Sequence, residues 1–185
     1  MDDETQQAVM DVVAGWQTGV SQGDADMTYD LAMYRWQVQG DDDEALRLLE
    51  PLAGASHVPS MRAVAQLWAL RDEEPWTRTR DVLTSAASTG DVRASFRLGS
   101  FLLHDVCEPP ELAEPWLLAA AEQGSGMAMG FLSSFVYMPL GNDVAAALWR
   151  AAADAAGPAD RPTRLTEEER LESIVAGSPW WRHDF

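Results

Sequence analysis

Three residues near the middle of the chain have side chains suited to metal binding: His104, Asp105 and Cys107, in Leu102-Leu-His-Asp-Val-Cys107. Imidazole, carboxylate and thiolate are all zinc ligands, but their spacing here matches no standard zinc pattern. A polar cluster facing a loop at a helix end is the plainer reading. Cys107 is the sequence's only cysteine, so neither an intramolecular disulfide nor a multi-cysteine metal site can form, and a semi-buried thiol is expected. His57 falls in a turn, His183 lies near the C-terminal end, and no His-Glu-x-x-His, nucleophile elbow or glycine-rich phosphate loop occurs. The run Asp41-Asp-Asp-Glu44 lacks the glycine and distal glutamate of a helix-loop-helix calcium site. It suits a helix N-terminus, where carboxylates meet unpaired N–H groups and the positive end of the helix dipole. Asp72 and Glu73 also read as a helix start. These residues assign no catalytic group, no metal and no cofactor, and the expectation is a protein that is not an enzyme.

Charge narrows the classes of partner. Thirty acidic residues stand against 13 basic ones, all of them arginine, for a net charge of −17. Nucleic-acid binding needs a basic stripe to meet phosphates, and none is present. The acidic surface keeps the protein soluble on the simpler reading; on the sharper one it attracts a basic partner. No apolar run approaches the ~18 residues of a membrane span, and Met1-Asp-Asp-Glu-Thr is acidic where a signal peptide is basic. The expectation is a cytoplasmic protein that does not bind membranes.

The dominant feature is a repeat. Ala113-Glu-Pro-Trp-Leu-Leu-Ala-Ala-Ala-Glu-Gln-Gly124 and Ala146-Ala-Leu-Trp-Arg-Ala-Ala-Ala-Asp-Ala-Ala-Gly157 share an alanine three before a tryptophan and a glycine eight after it. Looser copies end at Gly23, Gly54 and Gly90, giving spacings of 31, 36, 34 and 33. A period in this range is that of stacked helical hairpins. The unit after Gly54 slips: Arg62 stands eight on from it where other units have leucine, and Ala63-x-x-x-Leu67 supplies the motif late.

Apolar periodicity supplies the helices. Val9, Val12, Val13, Trp16 and Val20 share one face of a helix over about 4–20. Further helices are expected over 25–38, 43–53, 60–70, from 72–75 to about 89, and over 91–103, 111–123, 126–137 and 143–156. No segment alternates like a half-buried strand, so the fold is expected to be all-α. After a linker at 158–162, Thr166-Glu-Glu-Glu169 has capping-box spacing and opens a helix to about 176. Residues 177–185 are expected to be an extended tail. Residues 1–157 are read as the repeat array and 158–185 as linker, cap and tail. The cap would cover the free face of the last hairpin, with Trp180, Trp181 and Phe185 as its seal or, alternatively, as a docking peptide.

Aligned on the terminal glycine, leucine recurs at +8 (Leu31, Leu98, Leu132) and a small residue at +9 (Ala32, Gly99, Ser133). Small residues let helices approach, and the tryptophan fills the gap between hairpins. Ala-x-x-x-Leu-Gly, Ala-x-x-Trp and Ala-Ala-x-x-Gly together resemble the Sel-one-like repeat, a relative of the tetratricopeptide repeat, over about residues 10–157. The resemblance implies a right-handed superhelical α-solenoid of about four to five stacked hairpins with a C-terminal capping helix. It also implies a protein-binding scaffold in which the first helix of each hairpin lines a concave groove for a partner peptide or helix. Carried over by register, the partner-facing residues are Tyr29, Met33, Trp36, Arg93, Phe96, Met127, Tyr137 and Met138. The alternative function is an acidic neutralising protein, immunity-like or antitoxin-like, that covers a basic partner.

Overall fold

A computed structural model of the chain describes residues 3–71, 76–157 and 165–184, and these are helical with no strand among them. The chain forms two compact units, Met1–Val64 with Pro162–Phe185, and Ala65–Arg161. The first holds α1 (Asp3–Gln22), α2 (Ala25–Gln37), α3 (Asp42–Gly54), the start of α4 (Val58–Arg71), α10 (Glu167–Val175) and the short α11 (Trp181–Asp184). Here α1 packs on α2, α2 on α3 and α10 on α1. The second holds the rest of α4, then α5 (Trp76–Ala87), α6 (Val92–His104), α7 (Pro110–Glu122), α8 (Gly126–Phe131) with a π-helical continuation over Leu132–Tyr137, and α9 (Asp143–Ala156). Its helices pack in chain order, α5 on α6 through to α8 on α9. The acidic run 72–75 and the linker 158–162 lie outside the described residues, as does Phe185.

The repeat has a backbone cause. Gly23, Gly90, Gly124 and Gly157 all have positive φ, the left-handed conformation that ends a helix without a Cβ clash. Behind three of them the next residue caps the following helix: Asp24, Asp91 and Ser125 accept from the N–H groups of Met27, Ala94 and Ala128 at 2.9, 2.7 and 3.2 Å. Gly54 does not belong to this set. It is the last residue of α3, and Ser56 takes the left-handed position with φ 65°. The amide of His57 then reaches back to the Leu52 carbonyl at 3.0 Å, as Asp24 reaches Gly19 and Ser125 reaches Ala120. Registered on Ser56, the spacings become 33, 34, 34 and 33, and Ser60, Val64 and Ala65 fall at +4, +8 and +9. The slipped unit therefore has the regular period; the serine had hidden its turn.

Small residues at +9 set the distance within a hairpin. A Cβ on Gly99 would lie 2.6 Å from Leu117 Cγ, whereas one on Gly130 would meet nothing within 4 Å. Gly99→Ala is expected to destabilise by about 1–3 kcal/mol through overpacking. Gly130→Ala is expected to stabilise by up to about 1 kcal/mol through helix propensity. Urea denaturation of the two variants checks the pair, and opposite signs are the expected result.

The C-terminal segment departs from expectation in two ways. Residues 181–184 form a helical turn and are not extended. The capping helix packs on α1, so it covers the beginning of the array, and the exposed Val144 and Leu148 show that the outward face of α9 is left open. The apolar side of α1 supplies the reason: Val9, Val13 and Trp16 need cover on both flanks, and Leu171, Ile174, Trp180 and Trp181 are all buried in the same unit. Cys107 is exposed, against the expected semi-buried thiol, because it sits beyond α6 with φ 56°.

Candidate interaction surface

The first helices of successive hairpins are α2, α4, α6 and α8, and their early turns carry the side chains of interest. In the first unit, Asp26 and Tyr29 stand at +3 and +6 on α2, and Pro59 and Arg62 hold the same places on α4 in the Ser56 register. Together with Asp30, His57 and Arg182 they line a cleft of about 250 Å³. Tyr29 packs edge-on against His57 with ring centroids 5.6 Å apart. The His57 Nδ1 lies 2.7 Å from Ser60 Oγ, and its Nε2 lies 3.5 Å from Asp26 Oδ1.

The floor of this cleft is a built ion pair. Asp30 is fully buried, and its Oδ1 accepts from the Trp181 indole N–H at 3.0 Å and from Arg182 Nε at 3.2 Å, while Arg182 Nη2 donates to Oδ2. Arg182 thus grips both carboxylate oxygens, and Asp30 holds its guanidinium pKa above the usual arginine value. Trp181 is wholly buried, 5.9 Å from Trp16 and 4.6 Å from Trp180 between ring centroids. Both tail tryptophans are therefore packed inside the first unit.

In the second unit, α6 and the α8 segment carry an aromatic cluster. Phe96 on α6 meets Phe131 on α8 edge-on at 5.0 Å; His104 lies 5.4 Å from Phe131 and 4.7 Å from Phe135; Phe131 and Phe135 are 5.0 Å apart. Phe135 and His104 are exposed, Phe96 and Phe131 half-buried. The ladder spans two successive first helices.

The residues assigned from the repeat register divide sharply. Met33 is wholly buried, and Tyr29 and Trp36 are buried too, so the α2 candidates belong mostly to the core of their unit; of them, only Tyr29 lines the cleft. Arg93, Phe96 and Met127 are half-buried and Met138 is exposed. Tyr137 is turned inward: its hydroxyl donates to Glu114 Oε1 at 2.5 Å and bonds to Trp149. Burial raises its pKa, and the adjacent Glu114 raises it further. The repeat register does not single out Phe131 and Phe135. They stand at +7 and +11 from Gly124, outside the register positions that the resemblance assigns. Among the described residues no group of three or more histidine, cysteine, aspartate or glutamate side chains is arranged to hold a metal, and no helix is long and apolar enough to cross a membrane.

No protein-family model matches the chain, and no curated protein matches its sequence. A solved structure does: the crystal structure of c5321, a protective antigen present in uropathogenic Escherichia coli strains displaying an SLR fold, with a TM-score of 0.60 and 18% identity. The match covers 93% of this chain but 42% of that one, so this chain spans less than half the length of its neighbour. The capped, left-handed turns at a period of 33–34, the paired helices and this likeness agree. The chain has the Sel-one-like repeat (SLR) fold, an all-α solenoid of stacked helical hairpins.

Proposed function

We propose that the protein is a non-catalytic interaction scaffold that holds a peptide or helix of another protein against the first helices of its hairpins. The ladder Phe96–Phe131–His104–Phe135 carries this reading. A row of aromatic rings with two exposed members offers apolar area at low entropic cost, the composition typical of the energetic centre of an interface. Phe131→Ala combined with Phe135→Ala tests it in affinity capture from the native cell, followed by measurement of the captured partner's Kd. The expected result is at least a ~30-fold loss of affinity, as for two central aromatic contacts of roughly 1 kcal/mol or more each. A folded double variant that keeps the wild-type affinity overturns the reading.

The net charge of −17 supports the second reading, a neutraliser of a basic partner. Ionic strength separates the two. Neutraliser binding falls steeply with added salt, whereas capture by the aromatic ladder persists.

A further inference from the structure

The last helix of the array has its polarity inverted relative to its equivalents. Aligned on Gly90, Gly124 and Gly157, the equivalent positions, exposed or half-buried, carry Thr77, Arg80, Asp81 and Thr84 on α5 with Ser88 just past its end, and Glu111, Glu114, Pro115, Leu118 and Glu122 on α7. On α9 the same positions are Val144, Ala147, Leu148, Ala151 and Ala155. All five are exposed, Val144 by 73% and Leu148 by 68%. The inward positions change in the opposite sense: Leu83 and Leu117 become Arg150, and Ala87 and Ala121 become Asp154, buried in the first two helices and exposed in the third. A polar substitution where no next hairpin follows is the ordinary end of a solenoid. An exposed, wholly apolar stripe where α5 and α7 carry mostly polar side chains is not, and it marks an interaction surface.

We propose that this face pairs with α9 of a second copy in an antiparallel, two-fold contact. Shape argues for it. The C-terminal half of the stripe is alanine alone (Ala151, Ala155), while Val144 and Leu148 stand in its N-terminal half, so antiparallel pairing can set each Val144 against small residues with the two Leu148 side chains meeting at the centre. Centred on Leu148, each Val144 faces the other helix's alanines, and the alanines let the axes approach closely. Charge argues for it independently. Asp143 and Arg150 lie a heptad apart on one flank of the stripe, and neither has an ion-pair partner among the described residues. In the same antiparallel register Arg150 comes within side-chain reach of the partner's Asp143, twice by symmetry. One helix pair buries less than the ~800 Å² per partner of a standard stable complex, so the dimer is concentration-dependent, with a Kd in the micromolar range. A charge of −17 on each copy opposes association, so salt strengthens it.

Sedimentation equilibrium of the full chain at ~0.3 M salt, with circular dichroism of every variant as a check on folding, decides the matter. Wild type is expected to show a monomer–dimer equilibrium, and Leu148→Asp to remain monomeric. Arg150→Asp is expected to weaken the dimer about tenfold, and Asp143→Arg with Arg150→Asp to restore it to within about threefold of wild type. Wild type that remains monomeric to ~0.5 mM overturns the proposal. So does a Leu148→Asp variant that dimerises like wild type, or a charge swap that does not restore pairing.

Discussion

Replacing Asp30 with alanine is expected to remove about 3 kcal/mol of stability from the unit that holds it. Three donors converge on this buried carboxylate, two from Arg182 and one from the Trp181 indole. Hydrogen bonds to a charged group contribute about 1.5–3 kcal/mol, and a buried N–H left without an acceptor costs about 1–3 kcal/mol. The guanidinium turns to water when its partner is lost, since its side chain is 45% exposed. The indole N–H of Trp181 cannot, because that side chain is wholly buried. Folded domains have about 5–15 kcal/mol in hand, so a loss of this size is visible as a large drop in urea midpoint.

The chemistry of the pair also predicts how the loss is recovered. Asp30→Asn keeps an oxygen for Trp181 but turns an amide N–H toward a guanidinium that can only donate, so it recovers part of the loss. Asp30→Leu with Arg182→Met removes both charges and fills the buried site with apolar side chains, which offsets part of the loss although the Trp181 N–H stays without its acceptor. The double variant is expected to be more stable than Asp30→Ala. If Asp30→Ala unfolds at the wild-type urea concentration, the ion pair contributes no net stability.

The sequence shows local features far better than distant ones. Apolar spacing places α1, α6 and α9 within one or two residues of their observed ends, because each carries one apolar stripe, buried in α1 and α6 and exposed in α9, between breakers or caps at its borders. Thr166 and Glu169 form the capping box that their spacing announces. The turn at Ser56 was not legible, since left-handed backbone is read from glycine and a serine there gives no sign. Register alone gives Met33 and Trp36 to a partner, whereas both are buried in the first unit. Register fixes which way a helix face points within its hairpin, but not what covers that face. Asp30 gave no signal, because its donors lie 151 and 152 residues away and no local pattern encodes such a pairing.

Trp181→Ala is expected to be at least as damaging, at about 3–5 kcal/mol, and it separates the seal from a docking role. The side chain has no exposed surface, packs against Trp16 and Trp180, and donates its N–H to Asp30. Its removal leaves a cavity of indole size and strips one donor from a buried carboxylate. Trp180 provides the internal comparison. It keeps 7% of its surface, and the Arg170 guanidinium lies 5.3 Å from its ring centroid. It carries no bond to the ion pair, so Trp180→Ala loses packing and the Arg170 contact only, and is expected to cost less. Trp181→Phe preserves most of the packing but not the N–H, and is expected to fall between the two alanine variants. Thermal unfolding followed by far-ultraviolet circular dichroism gives this order directly. A Trp181→Ala protein as stable as wild type would mean that the tail does not hold the first unit closed, and the docking reading would return.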